Sequence, residues 1–268
     1  MRRQLLQLRS AQPSATTRLA PSTTARRAFT TTSSIQQQDT TNGGARSNSR
    51  WLGDLRKRMH QCMSRENLPP KHAAELRERM SYLDKNWLEL SAGREGYLAD
   101  AKWRGVDKQS VAWGHVNNVL YNRYAESGRV GWVMNLANNS DAQYREQISE
   151  LMTPRGIGLI LASIKTDFKF PMTYPDQVTV MHKLITKPDA SSDRLLFEAV
   201  AYSHRHQRPA AKFIEDVAVY DYKAGKKAPL RQFMVELMDE VFDMQKQRQA
   251  AAELEIEGLH QFVEGLEG

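Results

Sequence analysis

One helix followed by four strands in unbroken succession is the pattern that most narrows the folds open to this chain. A strand at 108–113 leads into an amphipathic helix at 117–136, and a polar insertion with a short helix covers 138–152. Strands of alternating character follow at 158–170, 178–187, 194–206 and 211–222, parted by turns such as PMTYPD, KPDASSD and QRP. The segment KAGKKAP then closes the sheet. Consecutive antiparallel strands leave one sheet face to bury, and a single internal helix is available to bury it. Val119, Leu120, Tyr121, Tyr124, Val130, Trp132, Val133 and Leu136 make that helix apolar enough. The expected class is α+β: a curved antiparallel sheet wrapped around a central helix.

The flanks read differently. Leu52, Leu55 and Met59 recur at helical spacing, Pro69 and Pro70 interrupt, and Leu76, Met80, Leu83, Trp87 and Leu90 stripe a second helix at 71–90. Residues 51–92 are therefore a helical extension before a domain at 97–229, and 230–268 form a C-terminal helix with an acidic tail. Residues 1–36 hold six arginines and no acidic residue, the composition of a mitochondrial transit peptide. Within them RRAFTTTSSIQ resembles a two-step matrix-processing site, with Arg27 two residues before Phe29 and an octapeptide ending at Gln36. Residues 37–50 read as a polar, disordered linker, and the expected location is the mitochondrial matrix.

Charge excludes one class of function. Of the formal +7, six charges sit in residues 1–36 and +1 remains for the rest, too little to drive nucleic-acid binding. No run of about 18 apolar residues predicts a transmembrane segment. The single cysteine, Cys62, makes neither an internal disulfide nor a cysteine-based metal site, and no metal site is expected.

Polar side chains suited to chemistry concentrate at 113–129, WGHVNNVLYNRYAESGR. Gly114, His115, Val116, Asn117, Asn118, Tyr121, Tyr124, Glu126 and Arg129 stand there in the spacing G-H-V-N-N-x-x-Y-x-x-Y-x-E-x-x-R. That run resembles the signature of hotdog-fold acyl-CoA thioesterases of the hydroxybenzoyl-CoA thioesterase-like group, and the likeness extends over about 100–230. It implies a hotdog fold and a fungal-type mitochondrial member whose substrate is a coenzyme A thioester, with no further cofactor. It also implies a homodimer or higher homo-oligomer, since a lone hotdog leaves a sheet edge and half a pocket open.

The likeness breaks at one position. The family pattern carries an aspartate three residues before the glycine, where this chain has Val111, and about six residues of the pattern are absent before His115. Thioester hydrolysis needs a group that activates water or attacks the acyl carbon, opposite donors for the oxyanion. The helix start, with Gly114 and His115, is suited to the oxyanion half. For the other half three groups are weighed: Asp107, which reads first as a solvated turn residue; Glu126, which reads first as an ion-pair partner of Arg123 or Arg129; and His115, as base or as an orienting cap. Asn117 reads as a catalytic-site orienter or an N-cap. Gly114, Val116, Asn118, Tyr121 and Arg129 are the candidate substrate and CoA contacts, while Tyr121 and Tyr124 also suit a core. Arg205, Arg208, Lys212, Lys223, Lys226 and Lys227 are candidates for coenzyme A phosphates, and His204-x-His206 is a weak metal spacing. Two functions follow: a mitochondrial acyl-CoA thioesterase, or a hotdog domain without catalysis that binds an acyl group or a protein in a matrix assembly.

Overall fold

The structure, a computed structural model, describes residues 50–111 and 114–268. The transit-peptide and linker readings fall at 1–50 and so, apart from Arg50, lie outside the described residues.

Helix α1 (Trp51–Met63) buries Trp51, Leu52, Leu55, Met59 and Cys62 along one stripe. Helix α2 (Pro70–Arg94) starts on a proline, whose fixed φ suits a first helical position. After β1 (Val106–Ser110) come α3 (Asn118–Asn139) and the short α4 (Arg145–Ser149). Strands β2 (Ile157–Phe168), β3 (Gln177–Leu184), β4 (Arg194–Ser203), β5 (Arg208–Asp221) and β6 (Lys226–Lys227) follow, and α5 (Gln232–Glu267) ends the chain. The acidic end of the sequence is thus helical, the last turns of one 36-residue helix.

The strands pair antiparallel in the order β1-β3-β4-β5-β2, with β6 beside β5 and a bulge in β2 between Leu161 and Ser163. The sheet curls around α3, which is the hotdog arrangement. Its two faces carry different covers. On the inner face α3 buries Tyr121, Tyr124, Ala125, Gly128, Arg129, Trp132, Val133 and Leu136. On the outer face α1, α2 and the distal half of α5 form a helical layer whose core includes Met181, Val200 and Tyr202. Covered on both faces, β3 and β4 are buried at nearly every position, not at alternate ones.

Val119 and Val130 depart from the expected filling face, being 66% and 38% exposed. They lie 11 residues, about three turns, apart and so share the solvent side of α3 with Asn122, Arg123 and Glu126. Small residues take the contact face in their place. A Cβ added to Gly128 would lie 2.6 Å from Val180 Cγ1, and one added to Gly131 would lie 2.0 Å from the carbonyl oxygen of Gly105. The helix therefore lies directly on the backbone of Gly105, just before β1, and on the Val180 side chain of β3, and larger residues there would force them apart.

Candidate active site

The start of α3 is fixed by a short ladder to the β2–β3 connection. Gly114 adopts φ +81°, a left-handed turn that favours glycine. Its carbonyl accepts the Tyr174 N–H at 3.0 Å, and the Val116 N–H donates to Met172 O at 3.0 Å. His115 makes a single bridge to Thr173 between these bonds. Val116 is fully buried, whereas the flanking Gly114, His115, Asn117 and Asn118 are exposed. Asn117 is the N-cap of α3, its side-chain oxygen accepting the Leu120 N–H at 3.1 Å. Tyr121 latches the helix to the same connection: its hydroxyl accepts from Met172 N at 2.9 Å and donates to Phe170 O at 3.2 Å. Burial raises the Tyr121 pKa, with the Met172 N–H pulling the other way, so the group stays a neutral phenol.

A cavity of about 310 Å³ opens at this helix start, lined by His115, Val116, Asn118, Tyr121, Phe168 and Lys169 among others. It offers an exposed imidazole, an amide, an ammonium and the positive end of a 22-residue helix. Among the described residues none that lines it is acidic. Val111, at the family's aspartate position, is packed in the core and its N–H donates to Asp176 O at 3.1 Å. The arrangement suits a developing oxyanion and supplies one base, His115.

Glu126 is not at this cavity. It lines a second one of about 470 Å³, between the solvent side of α3 and β2, where Asn122 and Arg123 face Leu161 and Ile164. The floor is Arg129 and Glu215. Arg129 pairs with Glu215 at 2.8 Å, not with Glu126, and His182 Nε2 lies 3.3 Å from the other Glu215 oxygen. These separations are ion-pair distances. We read the contact as electrostatic. Burial pushes the Glu215 pKa up, but His182 and Arg129 outweigh it, and the group is held below its ordinary value as a carboxylate.

The sequence reading missed Glu215 and His182. On β5 Glu215 sits between Phe213 and Val217, and on β3 His182 sits between Val180 and Leu184, each two residues from apolar neighbours on the same face. An acid and a histidine at inward positions, with Arg129 on the buried face of the internal helix, were the available signal.

The remaining candidates lie away from both cavities or in contacts of their own. Asp107 is on β1, where it accepts from the Thr179 hydroxyl at 3.1 Å and from Arg104 Nη1 at 3.0 Å, and it lines neither cavity. Arg104 also binds Glu89 of α2. His204 Nε2 lies 2.7 Å from the same Thr179 hydroxyl, its ring edge-on to Trp87 at 5.5 Å, and burial lowers its pKa. Among the described residues no group of three or more His, Cys, Asp or Glu is placed to hold a metal ion. Of the cations weighed for phosphates, Lys212 pairs with Glu95, Lys227 lies 3.6 Å from Asp193, and Arg208 stacks on Phe170 at 4.2 Å. No described helix is long and apolar enough to cross a membrane.

The profile of the thioesterase-like superfamily matches residues 101–238, just over half of the chain. The chain belongs to the thioesterase-like superfamily. Its match begins after α2 and ends early in α5, so the helical layer on the outer face lies mostly outside it. Among solved structures this thioesterase-like chain is similar to a Thermus thermophilus thioesterase complexed with coenzyme A and zinc, at 19% identity over 56% of this chain and 98% of that one, with a TM-score of 0.40. It is also similar to a DHNA-CoA thioesterase from Staphylococcus aureus, at 13% identity over 53% and 92%, TM-score 0.41. A probable thioesterase from Escherichia coli gives 19% identity over 48% and 87%, TM-score 0.37. No curated protein matches the chain.

Proposed function

We propose that this thioesterase-like chain hydrolyses acyl-CoA thioesters in mitochondria as a homodimer. The observation that carries the reading is the cavity at the start of α3, where an exposed imidazole stands beside the positive end of a helix held rigid by Tyr121 and Val116. In this mechanism the thioester carbonyl oxygen points at the first-turn N–H groups that the Asn117 cap does not take. His115 takes a proton from water as the water oxygen attacks the carbonyl carbon. The C–S bond then breaks, and the imidazolium returns the proton to the departing thiolate. Glu126 lies eight residues along α3, about 12 Å from the helix start. A dimer that sets two α3 helices side by side in opposite directions brings each Glu126 toward the other helix start, where its carboxylate orients His115 or water.

A second reading rests on a specific observation: among the described residues, none that lines the cavity at the helix start is acidic. It favours a domain that binds the acyl group without hydrolysing it. Hydrolysis of short-, medium- and long-chain acyl-CoAs by protein lacking residues 1–36 decides between them, with His115→Ala and Glu126→Ala alongside. Turnover lost in His115→Ala supports the mechanism. No turnover on any chain length, with acyl-CoA still bound, supports the binding module. Import of the full chain into isolated mitochondria tests the location, and sedimentation tests the dimer.

A further inference from the structure

The contact between α3 and the sheet is divided by a polar layer. On one side lies a core of Tyr121, Ala125, Val180, Ala199 and Phe213, and on the other a core of Trp132, Val133, Leu184, Phe197 and Val217. Arg129, His182 and Glu215, from three different elements, fill the plane between them, and each is at most 7% exposed. Such a layer lowers stability relative to apolar packing, because the Arg129 and Glu215 charges must leave water. Unlike an internal staple, the layer also reaches an opening: Arg129 and Glu215 floor the cavity between α3 and β2. Both side chains border that cavity, and Arg129 is the one able to donate there.

We propose that this cavity is an acyl-recognition subsite, in which Arg129 donates a hydrogen bond to a neutral oxygen, a hydroxyl or keto group, carried on the acyl chain. The choice of group follows from the walls. Leu161 and Ile164 suit a hydrocarbon, while a plain methyl terminus leaves the floor without a partner. A carboxylate entering the cavity faces Glu126 and Glu215, and an ammonium faces Arg123 and Arg129. A neutral oxygen avoids both repulsions and accepts from Arg129. Glu215 holds the guanidinium in place, and its lowered pKa keeps it charged for that role. The position also fits. Arg129 lies 11 residues beyond Asn118, about 16 Å along the helix from the first cavity, which suits an oxygen far along a long acyl chain whose thioester sits at the helix start. The subsite deepens the acyl-CoA reading and rests on it for the natural ligand.

The test is calorimetric titration of the full chain with a long-chain fatty acid and with counterparts hydroxylated or oxidised to the ketone far along the chain, none of which requires hydrolysis. The oxygenated acids are expected to bind at least about tenfold tighter than the plain acid, the effect of one hydrogen bond to a charged donor. Arg129→Met is expected to abolish that preference while the plain acid still binds. Leu161→Trp, which blocks the cavity from its β2 wall and leaves the polar layer intact, is expected to weaken all of them and keeps the test decisive if Arg129→Met does not fold. Equal affinity for plain and oxygenated acids, a preference that survives Arg129→Met, or no response to Leu161→Trp overturns the subsite. Tight oxygen-dependent binding without turnover of any acyl-CoA overturns the hydrolase reading alone.

Discussion

The start and the middle of α3 show two ways of using polar residues on one helix. At the start, His115, Asn117 and Asn118 are exposed around an open cavity, and the one fully ordered task among them is the cap that Asn117 makes to Leu120. In the middle, Arg129, His182 and Glu215 are sealed between two apolar clusters. Solvent screens the first set, so apart from the Asn117 cap its members are replaceable for stability and free to do chemistry. The second set is held by mutual attraction in a poor dielectric, so removing one member strands the others. Sequence motifs report the first kind of residue because it clusters along the chain. The second kind is assembled from three distant segments.

That contrast yields unequal mutations. Arg129→Met is expected to cost about 3–5 kcal/mol in chemical denaturation, because Glu215 is left buried without its guanidinium partner. The double variant Arg129→Met with Glu215→Leu is expected to recover most of the loss. A double variant as unstable as the sum of the singles would show that packing, and not charge, holds the layer. His115→Ala is the converse: hydrolysis falls by about 10²–10⁴-fold while stability stays within about 0.5 kcal/mol. A stability loss as large as that of Arg129→Met would erase the distinction between the two ends.

Acid sharpens the same comparison. The pKa of Glu215 is held below the ordinary glutamate value in the folded chain. A carboxylate with a lowered folded pKa contributes stability that is complete above the ordinary glutamate range and is lost as pH falls through the lowered value. Glu215→Gln is therefore expected to be less stable than the wild type at neutral pH, with the gap narrowing below about pH 4 as that window is crossed. Denaturation midpoints across that range check it, and a pH-independent gap counts against the charged layer. Tyr121→Phe ranks below these, at about 1–3 kcal/mol, because the buried Met172 N–H loses its acceptor. Hydrogen exchange at Met172 reads that loss directly.

Much of the fold was legible in the sequence because it follows from order and periodicity. One helix and four alternating strands leave few ways to bury a face, and the observed sheet uses them. The solvent side of α3 was harder. Val119 and Val130 are apolar yet exposed, since hydropathy names a residue and not its angle around the helix. The double cover of β3 and β4 follows from long-range packing of α2 and the distal half of α5 on their outer face, which no local pattern records. At the site, the cap by Asn117 and the exposure of His115 follow from residue types at a helix start. The partner of Arg129 does not, because Glu215 lies 86 positions further along and meets it only through strand register.

Asn117 gives the smallest effect and the finest discrimination. Asn117→Ala removes the acceptor of the Leu120 N–H and is expected to cost about 1 kcal/mol. Asn117→Asp keeps the acceptor and adds a negative charge beside the helix start, which is neutral or stabilising by up to about 1 kcal/mol. If the helix start only caps and packs, the aspartate variant should equal the wild type in every assay. If it receives an oxyanion, the same charge opposes the transition state, and turnover should fall while the melting temperature holds or rises. A helix end that gains stability and loses rate from one added charge is acting on substrate, since the fold alone gives no reason for the two to move apart.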